Sequence, residues 1–248
     1  MKTLIKKCSI RALGYDRFLI GVYCMRRVQQ SIFPQWSEFV AVAALIDPDT
    51  LILDIGANIG YVTAVLATVP GAHVYAFEPD AENFACLVRT VGNRPNVTAQ
   101  KIAIGAKDGE AVLRAVFEDG IKQHALSRVC TASAPQPSDQ RVSVRSVDSL
   151  RASMNGQIGL IKLDVEGSEC EVLRGMLASV GSSRPYIHAE VFGEVAIGEF
   201  NGFCATNGYL AYRWRSRQFH RADAITGGGN FLLVPRERES RLHLAAIS

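Results

Sequence analysis

A chain of 248 residues, 48% apolar and 21% charged, can bury one large core, and single α/β domains of this size are ordinary. Its formal charge of +3 is uneven: Lys2, Lys6, Lys7, Arg11, Arg17, Arg26 and Arg27 against Asp16 make residues 1–30 +6, so the remainder is −3, without a nucleic-acid signature of its own. The longest apolar runs, FLIGVYCM and FVAVAALI, fall short of the roughly 20 residues a membrane-spanning helix needs. Scattered cysteines and histidines with no C-x-x-C pair argue against structural zinc and for reduced thiols in a cytoplasmic protein.

Residues 1–49 read as a basic, helical N-terminal extension. Their apolar stretch is interrupted by charges and lacks a small-residue cleavage site, unlike a signal peptide. One or two solvated helices packed on the domain are the plain reading; contact of residues 1–30 with an anionic membrane surface or an acidic substrate is the sharper alternative. From residue 50 onward, strand patterns at 51–55, 73–78, 97–103, 160–165, 186–191, 209–213 and 230–234 are interleaved with helical patterns at 59–68, 81–91, 169–179 and 196–207. That alternation predicts one doubly wound, mostly parallel domain over 50–248. It breaks between 104 and 147, where EAVLRAVF and RVSVRSV read as two further strands. The stretch EDGIKQHALSRVCTASAPQPSDQ between them reads as a loop, and Glu118 to Gln140 is expected to act as a lid or acceptor-binding loop.

In open α/β sheets, ligands sit at the carboxyl ends of the strands, beside the first strand-to-helix loop. Here that loop is Asp54-Ile55-Gly56-Ala57-Asn58-Ile59-Gly60. Gly56 and Gly60 allow close backbone approach, and Asn58 tolerates left-handed angles. The spacing is D-x-G-x-x-x-G rather than the G-x-G-x-x-G of dinucleotide binders. An acid before the loop suits a cofactor bearing an ammonium group there, as S-adenosylmethionine does, with its carboxylate received by the helix N-terminus. Glu78, at the end of HVYAFEPD, can take both ribose hydroxyls. It would serve NAD equally well. Asp80 sits where a helix N-cap belongs.

In LIKLDVEGSECEVLRGM, Ser168 and Glu171 have capping-box spacing, with Glu169 in the first helical turn. Structure does not account for Asp164 and Glu166, at the carboxyl end of a strand built for burial and on one face with Lys162 if the chain stays extended. A lysine inside an apolar strand needs a partner, so a structural Lys162–carboxylate pair is the bland account of one acid. The other still points to the ligand edge.

LILDIGANIGYVT, VYAFEPDAENFACL, the AIGAKDG turn that begins at Ala103, SVDSL, IGLIKLDVEGSECEVLRGM and GGGNFLLVP together resemble the FkbM family of S-adenosylmethionine-dependent methyltransferases, a branch of the class I methyltransferase fold. The Lys-x-Asp-Val-Glu-Gly run is the specific part, and the resemblance spans about residues 50 to 234. It implies a Rossmann-like, seven-stranded sheet with helices on both faces and an antiparallel last strand. It also implies methyl transfer to a hydroxyl of a sugar, glycan or polyketide-type natural product. Residues 1–49 and the Pro/Ser-rich loop near 130–140 match nothing in the family, and they are where acceptor choice would reside.

Transfer from a sulfonium to oxygen requires alignment and exclusion of water, and a poorly nucleophilic hydroxyl gains from a general base. Asp164, Glu166, Glu190 and His188, at neighbouring strand ends, are the candidates. Asp54, Gly56, Asn58, Gly60, Glu78 and Ala103 are the candidate cofactor residues. A divalent metal held by carboxylates is an open alternative that no residue spacing calls for. Two other readings are a nicotinamide-dependent oxidoreductase or epimerase, and a cofactor-binding domain without chemistry. A small molecule or glycan, and no nucleic acid, is the expected partner.

Overall fold

The computed structural model describes residues 34–118, 121–130 and 139–242. The basic segment 1–30 and most of the N-terminal extension lie outside the described residues, as do 131–138 of the expected lid.

Strand β1 (Leu51–Ile55) is buried at every position, as a central strand covered on both faces must be. It is followed by α2 (Tyr61–Leu66), β2 (His73–Phe77), α3 (Ala81–Val91) and β3 (Val97–Gln100); α1 (Pro34–Leu45) precedes it. After the insert come α4 (Val147–Arg151), β8 (Ile158–Leu163), α5 (Glu169–Arg174), α6 (Leu177–Ser183), β9 (Tyr186–Val191), α7 (Glu194–Asn207), β10 (Tyr209–Arg215), β11 (Gln218–Ala222) and β12 (Gly229–Pro235). The main sheet runs β3-β2-β1-β8-β9-β12-β10-β11. Strands β3, β2, β1, β8 and β9 are parallel, whereas β12 runs antiparallel to both β9 and β10.

This is the expected α/β architecture with its antiparallel last strand, but the sheet has eight strands rather than seven. The added edge strand, β11, folds back from β10 through Ser216 and Arg217, both with φ between 50° and 61°. Two consecutive left-handed residues match the right-handed twist of a hairpin. A Ser-Arg pair lacks the Asn-Gly signature of such turns, so the pattern in the sequence stops short of β11.

Each face of the sheet carries its own core. Odd positions of β1, with Ile161 and Ile187, pack under Leu150 of α4, Val172 of α5, Val180 of α6 and Phe200 of α7. On the opposite face Ile52, Leu160 and Tyr186 pack with Val42 and Leu45 of α1 and Leu66 of α2, and Ala76 with Leu87 of α3. Among the described residues no helix is long and apolar enough to cross a membrane.

The insert forms a second sheet, β4 (Ala103–Ile104), β5 (Gly109–Glu118), β6 (Ile121–Cys130) and β7 (Gln140–Arg145), ordered β4-β7-β5-β6. The two strands expected around the insert are β5 and β7. The loop reading fails for 121–130, which pair antiparallel with β5 as β6. Its residues show neither alternation nor aromatic content, so its β structure comes from pairing with β5 rather than from local preference. The predicted helix 169–179 is likewise divided: it ends at Gly175, where a Cβ would lie 2.1 Å from the Gly105 carbonyl oxygen, and α6 starts afresh at Leu177. The helix over 81–91 and its Asp80 cap are as read, with Asp80 Oδ1 accepting from the N–H groups of Glu82 and Asn83.

Candidate active site

Because β2, β1, β8 and β9 are parallel neighbours, their carboxyl ends share one edge of the sheet. The loop leaving β1 reaches this edge through three left-handed residues, Gly56 (φ 75°), Asn58 (φ 51°) and Gly60 (φ 86°). A Cβ on Gly56 would lie 1.8 Å from the Asp164 carbonyl oxygen, so the loops after β1 and β8 touch main chain to main chain. Gly60 serves packing instead: a Cβ there would meet Leu87 of α3 at 2.8 Å. The N–H groups of Gly56 and Ala57 donate to the Phe77 carbonyl at 3.0 Å, and that of Gly60 to the Ala57 carbonyl at 2.9 Å. These donors therefore stitch the loop to β2 and to itself rather than pointing at a ligand carboxylate.

Glu78 stands where β2 ends. Its Oε2 accepts from the Asn58 N–H and its Oε1 from the Asp80 N–H, both at 2.9 Å. The side chain is buried, and burial pushes its carboxyl up to about 7 despite these donors. A carboxylate held so close to neutrality has something to gain from further hydroxyl donors.

Asp54 is fully buried and does not line the cleft. Its Oδ2 accepts from the Thr63 hydroxyl at 2.6 Å, and its Oδ1 lies 3.4 Å from Lys162 Nζ. The ammonium group this acid faces is thus the protein's own. Lys162 Nζ also donates to the Gly56 carbonyl at 2.7 Å and lies 3.5 Å from Asp164 Oδ2. Burial opposes the lysine's charge, but the Asp164 and Asp54 carboxylates outweigh it and its pKa is raised. In register, Lys162 stands between Asp54 and His188. His188 is buried under α1, its Nε2 2.9 Å from Glu38 Oε1 and its ring 4.6 Å from that of Phe39. It does not line the cleft.

Beyond Leu163 the chain does not stay extended, which removes the premise of a single face for Lys162, Asp164 and Glu166. Glu166 adopts φ 52° and Gly167 φ 100°, turning the chain towards α5. The expected capping box is not formed, since Ser168 makes no side-chain cap bond. Instead Glu169 Oε1 accepts from the N–H groups of Gly167 at 3.0 Å and Val165 at 3.3 Å, bracing the turn. Glu171 pairs with Arg174. The turn brings carboxylate oxygens of Asp164, Glu166 and Glu190 within 4.8 Å of one another, a spacing compatible with a divalent cation. Burial first, then the Asp164 and Glu166 charges, push Glu190 up to about 7.

Of the residues singled out in the sequence, Gly56, Asn58, Glu78, Ala103, Asp164 and Glu166 line one cleft, and Glu190 joins it through the carboxylate trio. Asp54, Gly60 and His188 sit behind or beside it. The sequence pattern gives no sign of the roles of Thr63 and Glu38, and it gives Glu169 only as a helix-dipole residue. Only Glu169, two residues beyond Gly167 and able to reach back over the turn, left a local trace.

A profile of the family described as "Methyltransferase FkbM domain" matches residues 54–220. The hexuronic acid methyltransferase AglP of Haloferax volcanii is 28% identical over 153 residues, which are 58% of this chain and 59% of that protein. A crystal structure of a methyltransferase FkbM from Methylobacillus flagellatus superposes with a TM-score of 0.51 at 17% identity, over 75% of this chain and 44% of that one. The chain thus spans 59% and 44% of the lengths of these two relatives.

Proposed function

Because the chain belongs to the methyltransferase FkbM domain family, we propose that it transfers the methyl group of S-adenosylmethionine to a hydroxyl of a sugar, glycan or polyketide-type natural product. The observation that carries this reading is Glu78, its carboxylate fixed by two backbone donors and facing the same cleft as Asp164 and Glu166. A ribose diol is the partner such a carboxylate suits. Gly56 and Asn58 would flank the cofactor's methionine end, and Ala103, Ile104 and Phe77 offer apolar surface for its adenine. S-adenosylmethionine supplies an electrophilic methyl group on a sulfonium; the acceptor must be aligned and relieved of a proton.

Glu190, with a carboxyl near 7, suits the role of general base. Asp164, held from behind by Lys162, would orient the acceptor hydroxyl, and Glu166 would reach into the acceptor pocket. His188, engaged with Glu38, is left out of this assignment. A sugar acceptor is favoured by the substrate named for the Haloferax relative.

The test is to incubate the protein with methyl-labelled S-adenosylmethionine and p-nitrophenyl glucoside or glucuronide, and to follow S-adenosylhomocysteine release and label on the sugar. A melting shift with NAD and none with S-adenosylhomocysteine would reject the proposal in favour of a nicotinamide enzyme.

A further inference from the structure

The geometry points to Lys162 as a positioning residue: it fixes the spacing between the cofactor loop after β1 and the acceptor carboxylate Asp164. The inference rests on the reading that the 54–60 loop and Glu78 hold S-adenosylmethionine.

Four acceptors surround one ammonium group, and three of them belong to different parts of the site. The Gly56 carbonyl, at 2.7 Å, is the apex of the cofactor loop. Asp164 Oδ2, at 3.5 Å, belongs to a side chain that is 42% exposed at the reaction edge. Asp54 Oδ1, at 3.4 Å, is a wholly buried anchor, itself tied to α2 by Thr63. The Ile55 carbonyl lies at 3.5 Å as a further, weaker partner. The Gly56 backbone meets the Asp164 carbonyl so closely that no Cβ fits between them.

Stability alone does not call for a lysine here. A buried ion pair is often replaced by packed apolar side chains with no loss, because desolvation offsets the Coulomb gain. An apolar residue would, however, leave the Gly56 carbonyl and the Asp164 carboxylate without their shared donor: the Asp164 N–H would still donate to the Ile55 carbonyl at 3.2 Å, but its carboxylate would lose its tether to the loop. An arginine would not serve, since its planar fork is larger and differently directed than a compact ammonium. His188, the neighbour on the other side, is already engaged by Glu38 and does not compete for these acceptors. A displacement of about 1 Å at a reacting centre can lower turnover about a hundredfold.

The test uses the full chain, with S-adenosylhomocysteine affinity measured by calorimetry and folding by melting temperature. It compares the parent with Thr63→Val, Lys162→Met and the paired Asp54→Asn/Lys162→Met variant. Thr63→Val breaks a hydrogen bond of the same buried network without touching the Gly56 carbonyl, so it should lower the melting temperature and leave affinity within about twofold. The paired variant removes both buried charges and should fold, yet bind at least about tenfold more weakly. Should Lys162→Met alone unfold because Asp54 is stranded, the paired variant decides. Parent-like affinity in the paired variant overturns the proposal. So does its failure to fold, or a loss of affinity in Thr63→Val proportionate to its loss of stability, since either makes Lys162 a structural residue only. A parent that binds no S-adenosylhomocysteine refutes the proposed function itself, an outcome distinct from all of these.

Discussion

Glu78→Gln separates a ribose-binding carboxylate from a merely buried one. A carboxyl raised from 4.5 to about 7 has its ionised form disfavoured by on the order of 3 kcal/mol in the ligand-free protein. The folded value lies above the unfolded one, so the native state holds an extra proton between them, and this group's contribution to stability falls as pH rises from 4.5 to about 7. Ribose hydroxyls donating to the carboxylate favour its ionised form, so binding should expel that proton. With an ordinary titration curve centred near 7, about three-quarters of a proton is released per S-adenosylhomocysteine bound at pH 6.5, and about a tenth at pH 8. Calorimetry in two buffers of different ionisation enthalpy measures that number directly. Glu78→Gln should release none from this site and should bind at least about tenfold more weakly at pH 8, with the gap narrowing below pH 7 as the parent's carboxyl becomes neutral. Without ligand the variant's amide can accept only one of the two backbone N–H bonds, so it should melt below the parent near pH 5, with that disadvantage shrinking by pH 8, where the parent's buried carboxylate is ionised. Equal proton release by parent and variant, or equal affinity at pH 8, would refute the assignment of Glu78 to the cofactor.

Glu190, which ionises near 7, must be charged to act as a base, so turnover should rise with pH through that value. Glu190→Gln should lower turnover by about 10²–10⁴-fold without changing S-adenosylhomocysteine affinity; a pH–rate profile indifferent to this change would remove it from the mechanism. Gly56→Ala forces a Cβ to within 1.8 Å of the Asp164 carbonyl at a left-handed φ, and a melting temperature within a degree of the parent's would show that the two loops do not touch as described. Glu169→Ala frees the turn that carries Glu166, so turnover should fall while cofactor affinity holds; unchanged kinetics would disprove the bracing role. Phe200→Ala empties a fully buried site on α7, with an expected loss of about 3–5 kcal/mol in denaturant unfolding, and a loss under about 1 kcal/mol would mean that the core there is not packed.

What could be read from sequence was what local pattern encodes. The apolar run of β1 around Asp54, the glycines of its loop and the Asp80 cap of α3 each follow from a single stretch of chain, and each lies where the pattern put it. The fold class follows from their alternation. Asp54 was misplaced because its need for a cation was legible, whereas the source of that cation, Lys162 on the neighbouring strand, depends on sheet register. His188 stands with Glu190 among the candidates because both lie near the end of one strand. It is drawn into the core by Glu38, 150 residues away in sequence, a pairing that no window of sequence reveals. Strand β6 owes its structure to a partner rather than to its own composition, and the Glu169 brace mimics the spacing of an ordinary helix cap. In each case the missing information was tertiary.

The place of β1 in the sheet bears on how the chain is made. One side of LILDI pairs with β2, where Leu51 meets His73, 22 positions later, but the other awaits β8, and Ile55 and Lys162 are 107 residues apart. At a synthesis rate of roughly 5–20 residues per second, that edge is unpaired for about 5–20 seconds on the ribosome. Throughout this interval an apolar strand whose sole charge is Asp54 offers open hydrogen-bonding groups to any other nascent chain. A strand buried at every position in the finished protein is therefore in need of shelter while it is being built, and recoverable yield should respond to translation speed and chaperone supply more than to the final melting temperature.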